Sequence, residues 1–327
     1  MDNGKIFDAF LDADGAPVSG SALARTLGIS RVSVWERLQQ LRRQGVVFDA
    51  APHVGYRLVP CLTHAHGGLI TAWLRRIGTA CIPIHHLNAV DSTNDETARR
   101  LSAGEQTPFV VISSIQTNGR GRMGRVWQSR DAGNLYMSFA FRPQLAPAQM
   151  ASVTLATGLR LCARFSTPPA LPLQVKWPND LMCAERKIAG ILTEAHVDAD
   201  CLRDMIIGIG INVNGRRDDF PPELRDSVGS LSEAHGAPLD INKTAATTIA
   251  TVLETVANFV REGLGTDFDA LWRQHDFLAG KTVSARSAGH EITGVALGIS
   301  ATGALRVRDA SGKIHTLNSG EATLHRK

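Results

Sequence analysis

The sequence of 327 residues predicts an α+β protein made of three regions with different patterns. Residues 1–60 contain short helical patterns and then a hairpin pattern, whereas residues 61–278 alternate apolar, strand-like runs with helical patterns. Residues 279–327 contain short runs of valine, isoleucine and threonine separated by glycine. We therefore expect a small helical domain, a central mixed-sheet α+β domain and a small SH3-like β-barrel.

The composition is that of an ordinary globular protein. Hydrophobic residues make up 43% of the chain and charged residues 20%, and no apolar stretch reaches the length of a membrane span. The five cysteines are scattered and form no C-x-x-C pair, which favours free thiols over a disulfide framework or a cysteine-rich zinc site. We expect a cytoplasmic protein with no membrane partner. Its net charge of +4 permits nucleic-acid binding without requiring it.

The N-terminal region predicts a winged helix-turn-helix. After a first apolar helix, a second helix runs over residues 21–27 with Ser21 as its N-cap, and Ser30 caps a third. Two strands around a turn at Ala51-Pro52 follow as the wing. The third helix has an apolar face at helical spacing, which consists of Val34, Leu38 and Leu41.

The opposite face of the third helix suits DNA. Arginine and glutamine read guanine and adenine edges in the major groove. The candidates for base contacts are Arg31, Ser33, Arg37 and Gln40. The candidates for phosphate contacts, which position a protein without reading sequence, are Arg42, Arg43 and Arg57. A solvated basic face, or a module that binds protein, stays an alternative.

The densest motif of the central region is the segment IQTNGRGRMGRVW, residues 115–127. Its glycines satisfy G-x-G-x-x-G after a strand, but no helix follows to receive a pyrophosphate, so a dinucleotide fold is disfavoured. The segment is instead a glycine-rich loop that carries Arg120, Arg122 and Arg125. Guanidinium groups on a mobile loop suit an anionic substrate that must be enclosed during reaction.

Three further clusters accompany this loop. The segment VKWPNDLMCAERK supplies Lys176, Asn179, Asp180 and Lys187. These residue types would neutralise a nucleotide, with lysine on phosphate and aspartate on Mg²⁺. GIGIN ends at Asn212, which could pair with an adenine edge. Ser92, Thr93 and Asn94 begin a helix, where their default role is only that of a cap.

In this order, the four clusters resemble the biotin–protein ligases. The family segments S-T-N, Q-x-x-G-R-G-R-x-G-R-x-W, K-W-P-N-D-L, R-K-x-A-G-I-L and G-x-G-I-N all occur here. The winged helix and the small barrel resemble the bifunctional biotin–protein ligase and biotin operon repressor. The resemblance covers essentially the whole chain. It divides the chain into a DNA-binding domain over 1–60, a ligase domain over 61–278 and the barrel over 279–327.

The resemblance implies a two-step reaction. ATP and biotin give biotinyl-5′-AMP and pyrophosphate, and a lysine of a biotin carboxyl carrier protein then takes the biotin. The implied catalytic residues are Lys187, Arg122 and Asp180, the last as the Mg²⁺ ligand. The implied biotin-binding residues are Ser92, Thr93, Asn94, Gln116, Arg120, Gly121, Arg122 and Lys187. The implied residues for ATP and the adenylate are Arg122, Trp127, Lys176, Asn179, Asp180 and Asn212.

The resemblance also implies a homodimer that biotinyl-5′-AMP promotes and that binds operator DNA. One departure bears on this: the segment after Asn212 contains no tryptophan to stack on adenine, and Phe220 is its aromatic residue. Trp127 could provide the apolar cover instead. Two alternatives remain, namely a ligase whose N-terminal domain does not regulate and a lipoate-type ligase of the same architecture. A binding-only regulator is disfavoured because every reactive position is intact.

Overall fold

The computed structural model describes residues 4–129, 133–166, 171–198, 201–287 and 290–325. The helices in those ranges are α1 (Gly4–Asp12), α2 (Gly20–Leu27), α3 (Arg31–Arg43), α4 (Gly67–Ile77), α5 (Thr93–Ser102), α6 (Met150–Phe165), α7 (Leu231–His235), α8 (Ile241–Glu262) and α9 (Phe268–His275). The strands are β1 (Phe48–Ala51), β2 (Gly55–Leu58), β3 (Ile84–Val90), β4 (Phe109–Gln116), β5 (Asn134–Phe141), β6 (Leu173–Lys176), β7 (Asp180–Cys183), β8 (Arg186–Asp198), β9 (Cys201–Asn212), β10 (Thr282–Ser287), β11 (His290–Ile299), β12 (Leu305–Asp309), β13 (Ile314–Leu317) and β14 (Glu321–Leu324). None of these helices is both long and apolar enough to cross a membrane.

The N-terminal region forms the predicted helix-turn-helix and hairpin. Ser30 precedes α3, and its side chain accepts a hydrogen bond of 3.0 Å from the Ser33 amide. This satisfies one of the amides that a helix leaves unpaired at its start. β1 and β2 pair antiparallel as the wing. The predicted apolar face of α3 is confirmed, since its members are at most 1% exposed: Val34, Leu38 and Leu41.

The predicted cap of α2 is wrong by two residues. α2 begins at Gly20, and Ser19 lies in extended conformation before it and accepts from the Ala22 amide at 3.1 Å. A capping residue must stand outside the helical turn so that its side chain can reach back to the first amides. Ser21 lies inside that turn and therefore cannot cap it.

Helix α4 joins the N-terminal and central regions. Its Leu69 and Ala72 belong to the apolar cluster of the helix-turn-helix, whereas Ile70 and Leu74 belong to the main core. Arg75 of α4 also forms an ion pair of 2.8 Å with Asp8 of α1. A helix with apolar residues on two faces is buried between two layers. The boundary at residue 60 stays a prediction, but α4 packs on both sides of it.

The central region is a mixed sheet, as predicted. The strand order is β3-β4-β5-β9-β8-β7-β6, in which β3 and β4 are parallel and the other neighbours are antiparallel. Side chains alternate between the two faces of a strand. On β4, Val110 and Ile112 enter the main core beneath α6 and α8, whereas Phe109 and Val111 pack towards α5. The sheet therefore has one heavily covered face and one face on which α5 leaves room.

The C-terminal region is a five-stranded antiparallel sheet of order β13-β12-β11-β10-β14. The five predicted strands are confirmed, and closure of this sheet into an SH3-like barrel stays a prediction. The sheet shares its core with the central region: Val283 and Leu305 pack in the main cluster, and the Trp177 indole donates to the Gly303 carbonyl at 3.0 Å. The C-terminal sheet is thus held against the central one.

Candidate active site

Small residues form the floor of a cavity on the α5 face of the central sheet. Gly208 and Gly210 of β9 lie on this face, because the intervening Ile209 is buried in the main core. A Cβ atom on Gly210 would lie 2.5 Å from the Trp127 indole, and one on Gly208 would overlap the Asn94 amide. Glycine is therefore required for both side chains to approach the sheet. The resulting cavity has a volume of about 170 Å³.

The start of α5 supplies the polar end of this first cavity. Ser92, Thr93 and Asn94 are at most 4% exposed and line it together with Gln116. Gln116 Oε1 accepts from the Thr93 amide at 2.8 Å and from Thr93 Oγ1 at 3.0 Å. Ser92 stands at the N-cap position, yet its side chain makes no cap hydrogen bond. Ser92 thus occupies the predicted N-cap position without capping the helix through its side chain, and it lines the cavity.

The glycine-arginine loop closes the first cavity from above. Up to residue 129, where the described segment ends, no α-helix follows its glycines; the Gly121 amide donates to the Arg125 carbonyl at 2.7 Å across a single 3₁₀ turn at Arg122–Gly124. This confirms that the G-x-G-x-x-G pattern is not a dinucleotide fold. Arg125 forms an ion pair with Glu321 of the C-terminal sheet. The loop is therefore anchored by a strand that the sequence did not connect with the site.

The second cluster forms at a hairpin beside the loop. Lys176 and Asp180 face each other across β6 and β7, and a bulge in the β7–β8 pairing sets Lys187 opposite Met182. Lys187 Nζ lies 2.7 Å from Asp180 Oδ1. Asn179 donates to the Ile191 carbonyl at 2.8 Å. The predicted residues thus come together through strand pairing that spans only about ten positions of sequence.

Two cations of the site are half-buried. Burial lowers the pKa of the Lys176 ammonium and of the Arg122 guanidinium below their ordinary values, because desolvation disfavours the charged form. Among the described residues no carboxylate lies within ion-pair distance of either group. The Arg122 guanidinium donates a long hydrogen bond of 3.4 Å to Asn179 Oδ1. A bound anion would supply the missing partner, so the site favours a negatively charged ligand.

A second cavity of about 380 Å³ adjoins the first. Trp127, Lys176, Asp180 and Lys187 line both cavities, so the charged cluster stands where the two meet. Asn212 lines only the second. Its Nδ2 donates to the Gly229 carbonyl at 3.0 Å, whereas its buried Oδ1 has no hydrogen-bond partner in the described structure. A buried acceptor without a partner is costly unless a ligand supplies a donor.

The segment after Asn212 forms the outer wall of the second cavity. The Lys187 amide donates to the Ser227 carbonyl at 2.8 Å, and the Gly229 amide donates back to the Lys187 carbonyl at 3.0 Å. Phe220 is only 5% exposed and lines the cavity with Leu224. The sequence identified Phe220 as the aromatic residue of this segment, and the structure places it beside the same cavity as Trp127.

The predicted DNA-contacting residues fall into two groups. Arg31, Gln40 and Arg43 are exposed on α3. Others have partners inside the protein: the Ser33 hydroxyl lies 2.9 Å from Ser30 Oγ. Arg42 donates to the Phe48 carbonyl at 3.0 Å. These two groups differ in how freely they could turn to a ligand.

Arg57 of the wing and the half-buried Arg37 complete the set. Arg57 pairs with Asp49 at 2.6 Å, with both side chains more than half exposed, and such surface pairs stabilise a fold by less than about 1 kcal/mol. A phosphate could therefore displace Asp49.

The sequence reasoning missed that Val32 and Trp35 are 66% and 53% exposed on α3. A cluster of large apolar side chains on an otherwise polar helix face is the signal that could have found them.

Comparison with known proteins finds a matching family for each of the three regions. Residues 87–212 match the Biotin/lipoate A/B protein ligase family, residues 5–57 the HTH domain family and residues 279–324 the Biotin protein ligase C terminal domain family. The chain is 32% identical over 311 residues to the bifunctional ligase/repressor BirA of Bacillus spizizenii, covering 94% of each chain. It is 32% identical over 313 residues to the bifunctional ligase/repressor BirA of Escherichia coli K12, covering 95% of this chain and 94% of that one.

A solved structure matches the fold as well. The biotin protein ligase from Aquifex aeolicus, determined in complex with biotin and ATP, superposes with a TM-score of 0.64 at 28% identity. The match covers 76% of this chain and 100% of the other. Similarity of sequence and of fold thus point to the same group of proteins.

Proposed function

This chain belongs to the family of biotin–protein ligases that carry an N-terminal helix-turn-helix domain, and on that premise we propose how its two cavities divide the reaction. The chain is a biotin–protein ligase that uses biotin and ATP. The first cavity takes biotin, and the second takes the adenosine part of ATP. The observation that carries this assignment is the charged cluster at the junction, where Lys176, Asp180 and Lys187 line both cavities.

Biotin fits the first cavity by the polarity of its two ends. Its ureido ring needs fixed neutral donors and acceptors, which the buried hydroxyl, amide and carboxamide groups at the start of α5 offer. The residues that we assign to this end are Ser92, Thr93, Asn94 and Gln116. Trp127 lies against the glycine floor as an apolar wall for the valeryl chain. The carboxylate end then points to the charged cluster, with Arg120 and Gly121 of the loop above it.

The first step forms the mixed anhydride. A biotin carboxylate oxygen attacks the α-phosphorus of ATP, an O–P bond forms, and pyrophosphate leaves with the electrons of the broken bond. Negative charge on the phosphoryl oxygens is stabilised by Lys187, Arg122 and Lys176, which are positioned before the reaction begins. Lys187 exchanges part of its contact with Asp180 for these oxygens. No covalent intermediate with the enzyme is needed.

Asp180 is the carboxylate that we assign to Mg²⁺. In the described part of the chain no three histidine, cysteine or acidic side chains come together as a metal-binding group. Mg²⁺ is commonly held by one or two carboxylates together with substrate phosphates, so a single aspartate fits an ion that arrives with the nucleotide. When bound, the ion neutralises phosphate charge. Asp180 would hold it while Asn179 keeps the turn in place through the Ile191 carbonyl.

The adenine ring fits the second cavity. The unpartnered Asn212 Oδ1 can accept from the exocyclic amino group of adenine, which would satisfy the buried oxygen. Trp127 and Phe220 supply apolar surface on the walls.

In the second step, the amine of a carrier-protein lysine attacks the biotinyl carbonyl carbon. AMP leaves with the electrons of the broken C–O bond, and the ammonium gives up its proton to solvent.

The test is transfer to a carrier. The full-length protein is incubated with ATP, Mg²⁺, biotin and a purified biotin carboxyl carrier protein, and the carrier mass is measured. We expect one biotin on one lysine. A parallel reaction with lipoic acid in place of biotin tests the alternative of a lipoate-type ligase. Modification of the carrier by lipoic acid in preference to biotin would overturn the biotin assignment.

The regulatory function rests on the helix-turn-helix. We assign base contacts to Arg31, Ser33, Arg37 and Gln40 and phosphate contacts to Arg42, Arg43 and Arg57. One such helix makes few contacts, so proteins of this kind commonly pair over half-sites spaced by whole turns of DNA. We assign a homodimer that biotinyl-5′-AMP promotes, which by linkage must also bind the adenylate more tightly. Sedimentation with and without the adenylate, followed by operator binding, distinguishes this from a ligase that does not regulate.

We place the reaction in the cytoplasm. The cysteines whose side chains are described are free thiols, at Cys61, Cys81, Cys162 and Cys183. Proteins of reducing compartments keep thiols in this form. Fractionation of the cells that express the protein, with detection by antibody, tests the placement.

A further inference from the structure

Glu194 of β8 stands behind the first cavity and contacts two of the groups that line it. Its Oε2 accepts a hydrogen bond of 2.6 Å from Asn94 Nδ2 and one of 2.9 Å from the Arg120 guanidinium. Asn94 belongs to the polar end of the cavity, whereas Arg120 belongs to the loop that covers it. A single carboxylate oxygen therefore joins the start of α5 to the loop that covers the cavity.

The contact with Asn94 fixes which way its amide points. A carboxylate only accepts hydrogen bonds, so the amide nitrogen must face Glu194. The amide oxygen accepts from Ser138 Oγ at 2.6 Å on the other side. Asn94 is 4% exposed and lies so close to Gly208 that a Cβ atom there would overlap it. The orientation of this amide decides the pattern of donors and acceptors at the polar end of the cavity.

The contact with Arg120 is one of two ion pairs that hold this part of the loop against α5 and β8. The same guanidinium nitrogen also donates to Asp95 Oδ1 at 2.6 Å. All three side chains are about one-third to two-fifths exposed, with values of 39% for Arg120, 34% for Asp95 and 33% for Glu194. Partly exposed pairs stabilise a fold weakly, so the value of this triad lies in geometry more than in folding free energy.

We propose that Glu194 is a positioning residue for the ligase reaction: it orients the Asn94 amide and receives Arg120, so that closing of the loop and ordering of the biotin-binding end occur together. The proposal rests on the function assigned to the first cavity. Glu194 touches neither substrate. It acts through Asn94 on biotin binding and through Arg120 on how long the closed loop retains biotinyl-5′-AMP.

The chain offers variants that separate the two contacts. Glu194→Ala removes both contacts. Glu194→Gln keeps an oxygen that can accept from the Asn94 amide but removes the negative charge that pairs with Arg120. Asp95→Asn weakens only the pairing of Arg120 with Asp95. Each variant is assayed as the full-length protein with ATP, Mg²⁺ and biotin. The measurements are KM for biotin, kcat at saturating biotin and the rate of adenylate dissociation.

We expect Glu194→Ala to raise KM for biotin about tenfold, which corresponds to about 1.4 kcal/mol and to the loss of one hydrogen bond to a charged group. Adenylate dissociation should become several times faster, with kcat at saturating biotin changed less than KM. Glu194→Gln should restore most of the biotin KM while dissociation stays fast. Asp95→Asn should change dissociation alone.

Several results would overturn the inference. One is an unchanged KM for biotin in Glu194→Ala together with wild-type adenylate dissociation, and another is a fall in kcat with KM unchanged. If Glu194→Ala loses its circular dichroism signal, Glu194→Gln decides, and wild-type dissociation in that variant contradicts the proposal. Wild-type protein that makes no adenylate contradicts the proposed function itself and is seen before any variant is made.

Discussion

In the central site, Lys176 and Arg122 are half-buried cations with no described carboxylate at ion-pair distance, whereas on α3 the side chains of Arg31 and Arg43 are exposed to solvent. We assign phosphate binding to both regions, but the two assignments place different requirements on the cations. A reacting phosphoryl centre requires charges that are fixed and partly desolvated, because reorganisation would raise the barrier. A DNA-binding surface requires cations that exchange counterions quickly. The difference predicts opposite responses to salt and to single substitutions.

The largest expected effect is the salt dependence of operator binding. If Arg42, Arg43 and Arg57 contact phosphates on both protomers of a dimer, raising salt from about 50 to 200 mM should weaken binding by about a thousandfold. Adenylate synthesis should change only severalfold over the same range, because its cations are half-buried. Fluorescence anisotropy with labelled operator, paired with adenylate assays in identical buffers, measures both. Equal salt sensitivity would remove the distinction between the two regions.

Lys187→Ala should cost about a hundredfold or more in the rate of adenylate synthesis, since it removes a fixed cation from the charge that develops on the phosphate. It also leaves Asp180 without the partner 2.7 Å away. Lys313→Ala, at an exposed position on the turn before β13, is the matched control and should behave as wild type. Normal synthesis in the Lys187 variant would contradict its assigned role.

Arg122→Ala should act at a later stage than Lys187→Ala. Arg122 lies on the loop, and burial lowers its pKa more than the charges of Glu321 and Asp180 raise it. None of the described carboxylates lies within ion-pair distance of its guanidinium, so we expect its main partner to be the ligand. We expect adenylate to dissociate about tenfold faster, with a smaller loss in its synthesis. Rapid dilution of the preformed complex into unlabelled biotin and ATP measures the dissociation rate. A variant that retains the adenylate normally but synthesises it slowly would reverse the assignment.

Much of this site follows from the sequence, because its motifs are short and local. The pairing of Lys176 with Asp180 requires only a hairpin, and the floor requires only glycine at alternate positions of a strand. Two features could not be predicted in this way. Glu321 reaches the loop from a strand almost two hundred positions away, and the Lys187–Asp180 contact depends on a bulge that shifts the β7–β8 register.

Two elements of the central region, α4 and β7, have only weak local signals in the sequence. α4 begins with Gly67 and Gly68, which are poor helix formers, and its cap is the unusual His66, so its start carries no ordinary signal. β7 has two consecutive buried residues, Leu181 and Met182, so its four residues show no alternating pattern. α3 was found because Ser30 and a three-residue apolar face are strong local signals. Where the local sequence signal is weak, tertiary packing determines whether a helix or a strand forms.

Arg37→Ala tests whether α3 reads the DNA sequence. If Arg37 reads a base edge, the variant should lose about tenfold in the preference for operator over unrelated DNA. Arg43→Ala should instead weaken binding to all sequences similarly and reduce the slope of affinity against salt by about one unit per protomer. Competition binding with unrelated DNA separates the two. Loss of preference in the Arg43 variant, with none in the Arg37 variant, would exchange the roles of these side chains.

Removal of residues 1–60 should have the smallest effect on chemistry. Every group that lines the two cavities lies beyond residue 60, so biotin transfer should stay within about threefold of the full chain. Thermal stability should fall, because Leu69 and Ala72 of α4 lose their packing and Arg75 loses Asp8. Carrier labelling and thermal melts of the truncated protein test both. A folded truncated protein that cannot transfer biotin would contradict the predicted boundary.

The central claim is that the charged cluster brings the biotin carboxylate to the α-phosphorus of ATP. Biotin labelled with ¹⁸O in both carboxylate oxygens tests it directly. After transfer to the carrier lysine, the AMP is isolated and its mass measured. Attack by the carboxylate leaves one ¹⁸O in AMP, and we expect that label with wild-type protein and a yield reduced about a hundredfold with Lys187→Ala. Unlabelled AMP accompanying a biotinylated carrier would contradict the account.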